Sequence, residues 1–134
     1  SHPFNAPIIR HFGMELDIAL MQQAASLFLG THNFKRYVSK PSENTVFDRT
    51  ILTSKIEPNT RFIETYTPIN TFVFKVRSKG FLRYQVRLMV AALLAVGRGE
   101  WSLLDLQNSL TNYDGSQINR IAPSSGLILH KVVF

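Results

Sequence analysis

Residues 71–99 read TFVFKVRSKGFLRYQVRLMVAALLAVGRG, and the change of period inside this stretch decides the fold. Phe72, Phe74 and Val76 alternate with Lys75, Arg77 and Lys79. Successive side chains of a strand point to opposite faces, so this is a strand with one apolar and one basic face. Gly80 breaks it. A helix is predicted from about residue 81 to residue 96. From Leu88 onward it is apolar on every side, which marks a helix buried in protein. Gly97-Arg98-Gly99 ends it. The apolar run 88–96 has nine residues, short of the roughly 20 that span a bilayer, and no membrane partner is expected.

Upstream, Asp17 is placed to cap a helix whose apolar face is Met21, Ala24, Ala25 and Phe28, at i, i+3, i+4 and i+7 spacing. Gly30 sits where the chain leaves that helix in a left-handed conformation. Residues 31–44, polar and basic with Pro41, read as a loop. Strand formers dominate 45–79, with a turn at Glu57-Pro58-Asn59-Thr60 and a division at Pro68. Downstream, Ser102 and Asp105 form a near capping box before Leu103, Leu106 and Leu110. Residues 113–125 read as a polar loop and 127–134 as a final strand. Helix, strands, two helices and strand make an α+β fold, with a mostly antiparallel sheet and helices packed on one face. Phe72, Phe74, Val76, Val90, Leu94, Leu106 and Leu129 are expected in a shared core.

The 134 residues are 45% hydrophobic and 18% charged, a globular composition for one domain or a large piece of one. There is no cysteine, which excludes disulfides and thiolate metal sites. The start lacks the basic and apolar regions of a signal peptide. Fifteen basic against nine acidic residues give a net charge of +6 and favour an acidic partner.

Lys75, Arg77, Lys79, Arg83, Arg87 and Arg98 carry that charge in one run, and no acid lies between Glu64 and Glu100. Phosphate binding is the reading that best explains six like charges without local neutralisation; a solvated strand edge is the alternative. Arg87 stands where the helix turns from mixed to apolar, so partial burial is expected, and a buried guanidinium needs a partner. That partner is either an acid of this chain (Asp48, Glu100 or Asp105) or a carboxylate or phosphate from outside it. His2, His11, His32 and His130 are too scattered for a metal site, and no nucleophile motif is present.

Phe81-Leu82-Arg83-Tyr84-Gln85-Val86-Arg87, the apolar helix after it and Val96-Gly97-Arg98-Gly99 resemble the TruA-type tRNA pseudouridine synthases. Gly30-Thr31-His32-Asn33-Phe34 is similar to that family's Gly-Thr-His-Asp-Phe, and Arg49-Thr50-Ile51 to its Arg-Thr-Ile strand. Ala122-Pro123-Ser124-Ser125-Gly126-Leu127-Ile128-Leu129 resembles its Ala-Pro-x-x-Gly-Leu-aromatic-Leu segment. Four matches in family order make the resemblance specific. The wording of residues 16–34 and 89–99 is nearest the eukaryotic branch called pseudouridine synthase-like 1. Arg83 and Tyr84 replace a pair often aromatic and His, Leu88 stands where Asn, Lys or Arg is usual, and Ile128 replaces an aromatic residue.

The resemblance implies a cofactor-free isomerase that converts uridine to pseudouridine in tRNA or another structured RNA. It implies that Arg87 pairs with the family's catalytic Asp and that Leu127 packs on the target base. The basic residues Lys75, Arg77, Lys79, Arg83 and Arg98 would hold RNA. The family's catalytic Arg-Thr-Asp-x-Gly-Val-His-Ala segment is missing, since Asp17, Asp48, Asp105 and Asp114 all lack that context. Residues 1–134 are therefore expected to be the C-terminal domain of the enzyme, inactive alone, with the catalytic half upstream. The branch resemblance implies an intracellular protein, mitochondrial or cytoplasmic, and leaves a homodimer open. A non-catalytic RNA-binding relative and a basic α+β interaction module are the competing readings.

Overall fold

The computed structural model describes residues 2–9, 16–58 and 71–111. The elements run β1 (His2–Ile9), α1 (Ile18–Leu27), β2 (Gly30–Asn33), a 3-10 turn (Lys35–Tyr37), β3 (Asp48–Pro58), β4 (Thr71–Ser78), α2 (Gln85–Gly97) and α3 (Leu103–Ser109). The four strands form one antiparallel sheet in the order β1-β4-β3-β2. This is the expected α+β architecture.

The period-2 reading of β4 holds. Phe74, Val76 and Ser78 are buried while Arg77 is exposed. Their partners on β3 are Ile56, Ser54 and Ile51, which are buried with them. A bulge between Ile51 and Thr53 lets Ile51 and Ser54 both face the core although they lie three residues apart. Phe74, Val76, Val90, Leu94 and Leu106 share one hydrophobic cluster, and Phe72 packs against it. Leu129, the remaining expected core residue, lies outside the described residues, as do the expected loop 113–125 and strand 127–134.

Asp17 caps α1 by accepting the Leu20 N–H at 3.0 Å. Met21, Ala24, Ala25 and Phe28 are fully buried. Ser102 and Asp105 complete the capping box of α3, each side chain accepting the other's backbone N–H. Helices α1 and α2 meet closely at Gly97, whose carbonyl accepts the Asp17 N–H at 2.9 Å. A Cβ on Gly97 would overlap the Met21 Sδ and lie 2.8 Å from the Met21 Cγ and 3.2 Å from the Leu16 Cδ2. Phe28 and Phe34 pack against Tyr37 at 5.7 Å between ring centroids. The Tyr37 hydroxyl meets the Ser109 hydroxyl at 2.6 Å, and burial raises its pKa above the usual tyrosine range.

Three boundaries differ from the sequence reading. Residues 31–44 are not all loop: they include most of β2 and the 3-10 turn. The strand is short, polar and at a sheet edge, so neither alternation nor apolar content announces it. β1 contains Pro3 and Pro7, residues that remove a ladder donor and are confined to edges, which is where β1 lies. Finally, α2 begins at Gln85 and not near Phe81, because Tyr84 adopts φ 63°, ψ 12°, outside right-handed helical space.

Candidate functional site

The segment 81–87 is a turn locked onto the head of a buried helix. Gln85 is fully buried, and its side-chain Oε1 accepts the Leu82 N–H at 2.9 Å. The Gln85 N–H donates to the Leu82 carbonyl at 3.0 Å, closing the turn. The Ser39 N–H donates to the Arg83 carbonyl at 3.1 Å, tying the turn to the chain after the 3-10 turn. The Leu88 N–H then donates to the Tyr84 carbonyl at 3.0 Å and starts α2. Leu82, Leu88 and every residue from Met89 to the end of α2 are buried. The turn thus has an apolar underside and an outward side carrying Arg83, Tyr84 and Arg87, all exposed.

Arg87 corrects one expectation: it is exposed, not partly buried. The burial of α2 on every side begins only at Leu88, and Arg87 belongs to the first helical turn, whose outer side nothing described covers. Arg87 makes no hydrogen bond or ion pair with another described residue. None of the three acids named for it, Asp48, Glu100 and Asp105, pairs with it. Glu100 binds Arg98, Asp105 is engaged with Ser102, and Asp48 lies exposed at the start of β3. Leu127 lies outside the described residues.

The basic residues divide into two groups. Lys75 and Arg77 sit on the strand face turned from the core, as the alternation implied. The absence of a nearby acid was true of the sequence but not of the sheet. Lys75 lies opposite Lys55, and Glu57 bridges both, at 2.9 Å to Lys55 and 3.0 Å to Lys75. Hydrogen bonds from Lys55 and Lys75 hold the Glu57 carboxyl below the usual carboxylate range. Arg98 is likewise neutralised locally, by Glu100 at 2.7 Å. Lys79 is exposed and has no partner among the described residues, and Arg77 is exposed. The Arg83 guanidinium lies 5.3 Å from the centroid of the Tyr84 ring.

The matching segments 30–34 and 49–51 have structural work in this chain. Gly30 takes φ 92°, and the Thr31 and Thr50 hydroxyls meet across β2 and β3 at 2.7 Å. His32 Nε2 lies 2.7 Å from the Leu29 carbonyl, which it bonds as donor. Asn33 accepts the Lys35 N–H at 2.9 Å, and Phe34 is fully buried. Arg49 donates to the Val46 and Asp48 carbonyls at 2.7 and 2.8 Å, and Ile51 is core. Among the described residues no group of three or more His, Cys, Asp or Glu could hold a metal ion, and no helix is long and apolar enough to cross a membrane.

Sequence reasoning missed two features here. The bridging role of Glu57 follows from strand register, which residue spacing alone does not reveal. The left-handed Tyr84 had no signal, since a bulky residue ordinarily avoids that conformation.

Exposed Arg83, Tyr84 and Arg87 thus gather at the head of a buried helix. A family model described as tRNA pseudouridine synthase matches residues 24–134, and the chain belongs to that family. It is similar to the tRNA pseudouridine synthase A of Fervidobacterium nodosum, at 37% identity over 123 residues, 92% of this chain and 47% of that protein. The tRNA pseudouridine synthase A of Lactobacillus helveticus is 32% identical over 133 residues, 99% of this chain and 48% of that protein. That of Thermodesulfovibrio yellowstonii is 30% identical over 128 residues, 92% of this chain and 49% of that protein. The chain spans about half the length of the curated relatives it matches.

Proposed function

We propose that residues 1–134 form the C-terminal half of a synthase that isomerises uridine to pseudouridine in tRNA. The observation that carries this reading is Arg87, an exposed guanidinium without a described carboxylate partner, in a matching motif whose outward side chains have no described structural duty. The half that carries the catalytic Asp would supply the missing carboxylate. In the covered cleft an apolar setting would otherwise favour the protonated acid, and Arg87 keeps it ionised. A uridine inside folded RNA must be turned out of its stack to reach such a site. The nitrogen–carbon glycosidic bond breaks, the uracil rotates, a carbon–carbon bond forms, and the proton on that carbon is lost as the ring nitrogen gains one. No net reactant enters, so no cofactor is required. Leu127 packs against the turned-out base in this reading. Kinship with the pseudouridine synthase-like 1 branch, and with it a mitochondrial or cytoplasmic site of action, rests on residues 16–34 and 89–99.

The test compares this chain with the full-length protein on a tRNA transcript, with pseudouridine measured by nucleoside analysis. The full-length protein is expected to form it. The chain alone is expected to bind the transcript and form none, and conversion by the chain alone would overturn the division of labour.

The basic face gives a finer expectation. Lys79→Ala should weaken RNA binding for all sequences about equally and shrink the slope of log affinity against log salt by about one. Lys75→Ala and Arg98→Ala should change that slope less, because Glu57 and Glu100 already neutralise those cations. Equal changes from all three variants would show that the ion pairs open on binding.

A further inference from the structure

Tyr84 is held in a conformation that costs free energy. Its φ of 63° is left-handed, a region that opposes the Cβ of a bulky residue. Such strain persists where the surroundings over-determine it. Here the hydrogen bonds of Leu82, Gln85, Arg83 and Leu88 fix the backbone on both sides. The strain does not serve to bury the ring, because the tyrosine is 51% exposed. A large aromatic ring is therefore presented outward on a rigid turn, with the Arg83 guanidinium 5.3 Å from its centroid and Arg87 one helical turn further on. Neither guanidinium has a carboxylate partner among the described residues.

We propose that Tyr84 is a stacking platform for an unpaired nucleobase of the bound RNA, with Arg83 holding the phosphate beside it. An aromatic face accepts any base, and the flanking Arg83 guanidinium supplies charge that a single strand requires. The proposal rests on the RNA-modifying reading above and adds the residue that positions the strand near the site. Tyr84 acts on binding and placement, not on the reacting bonds.

The experiment measures fluorescence anisotropy of a short single-stranded RNA and of the same strand with its bases removed, titrated with this chain. Tyr84→Ala is expected to weaken binding of the intact strand about tenfold, the effect of losing one stacked base, with an unchanged salt slope. It should leave the abasic strand unaffected. Tyr84→Phe should bind like the parent. Tyr84→Gly should lose affinity like Tyr84→Ala yet melt at or above the parental temperature, because glycine takes positive φ freely. If the parent binds RNA but Tyr84→Ala does so equally well, or weakens both strands alike, the platform is overturned and the RNA reading survives. A drop in melting temperature for Tyr84→Gly also overturns it, in favour of a structural role. If the parent binds no RNA at low salt, both readings fall.

Discussion

Arg87→Ala is expected to cut turnover of the full-length protein by a hundredfold or more while leaving the melting temperature of this chain unchanged. The two halves of this expectation come from different facts. In this chain the side chain is exposed and bonds to no described residue, so its removal takes nothing from the packing of α2. Surface substitutions of that kind stay within about 0.5 kcal/mol. In the assembled enzyme the proposed pair with the catalytic Asp is enclosed. Removing one partner of an enclosed pair costs roughly 3–5 kcal/mol, and each 1.4 kcal/mol is about tenfold in rate. Arg87→Lys should recover part of the loss, since an ammonium lacks the two-pronged geometry that grips a carboxylate. Normal turnover in the Ala variant, or a lost fold with it, would retire the assignment.

Gly97→Val is expected to give the largest loss of stability. Even a single Cβ would overlap the Met21 Sδ and press on Leu16. Met21 is fully buried and cannot swing away without displacing its own neighbours. Overpacking of a filled core costs about 1–3 kcal/mol and occasionally more, and the branched side chain puts this variant at the upper end. For a domain of this size roughly 3 kcal/mol corresponds to a fall of about 10 °C or more in melting temperature. Gly99→Ala is the control. Its φ of 80° is strained for any side chain, but nothing lies within 4 Å, so it should lose only about 1 kcal/mol. Equal losses from the two variants in thermal denaturation would show that close helix contact is not what reserves position 97 for glycine.

Those two glycines also show how legible the chain is. The end of α2 was readable from Gly97-Arg98-Gly99, but the spacing hid that one glycine makes room and the other makes a turn. The core faces of α1 and β4 were readable because their apolar residues repeat at the period of a helix or a strand. β1 and β2 were not, because edge strands need no apolar face and tolerate proline or polar residues. At the site, the exposed row of β4 could be read but its neutralisation could not. Glu57 is distant from Lys75 in sequence and reaches it only through the register of β3 against β4. Arg87 was placed at the right point of the chain and given the wrong environment. An apolar run says where a helix is buried, but the residue one step before it can still face water.

The alternation along β4 has a consequence for how sequences of this kind can vary. Phe74, Val76 and Ser78 face the core, while Lys75 and Arg77 face away. Neighbouring positions on the same strand therefore answer to different selective demands. Exchanges on the inner row alter the folded population and barely touch the electric field outside. Exchanges on the outer row retune that field, by adding a cation or removing an acid such as Glu57, and leave the core intact. A lineage could thus drift in surface charge without first acquiring stability to spare.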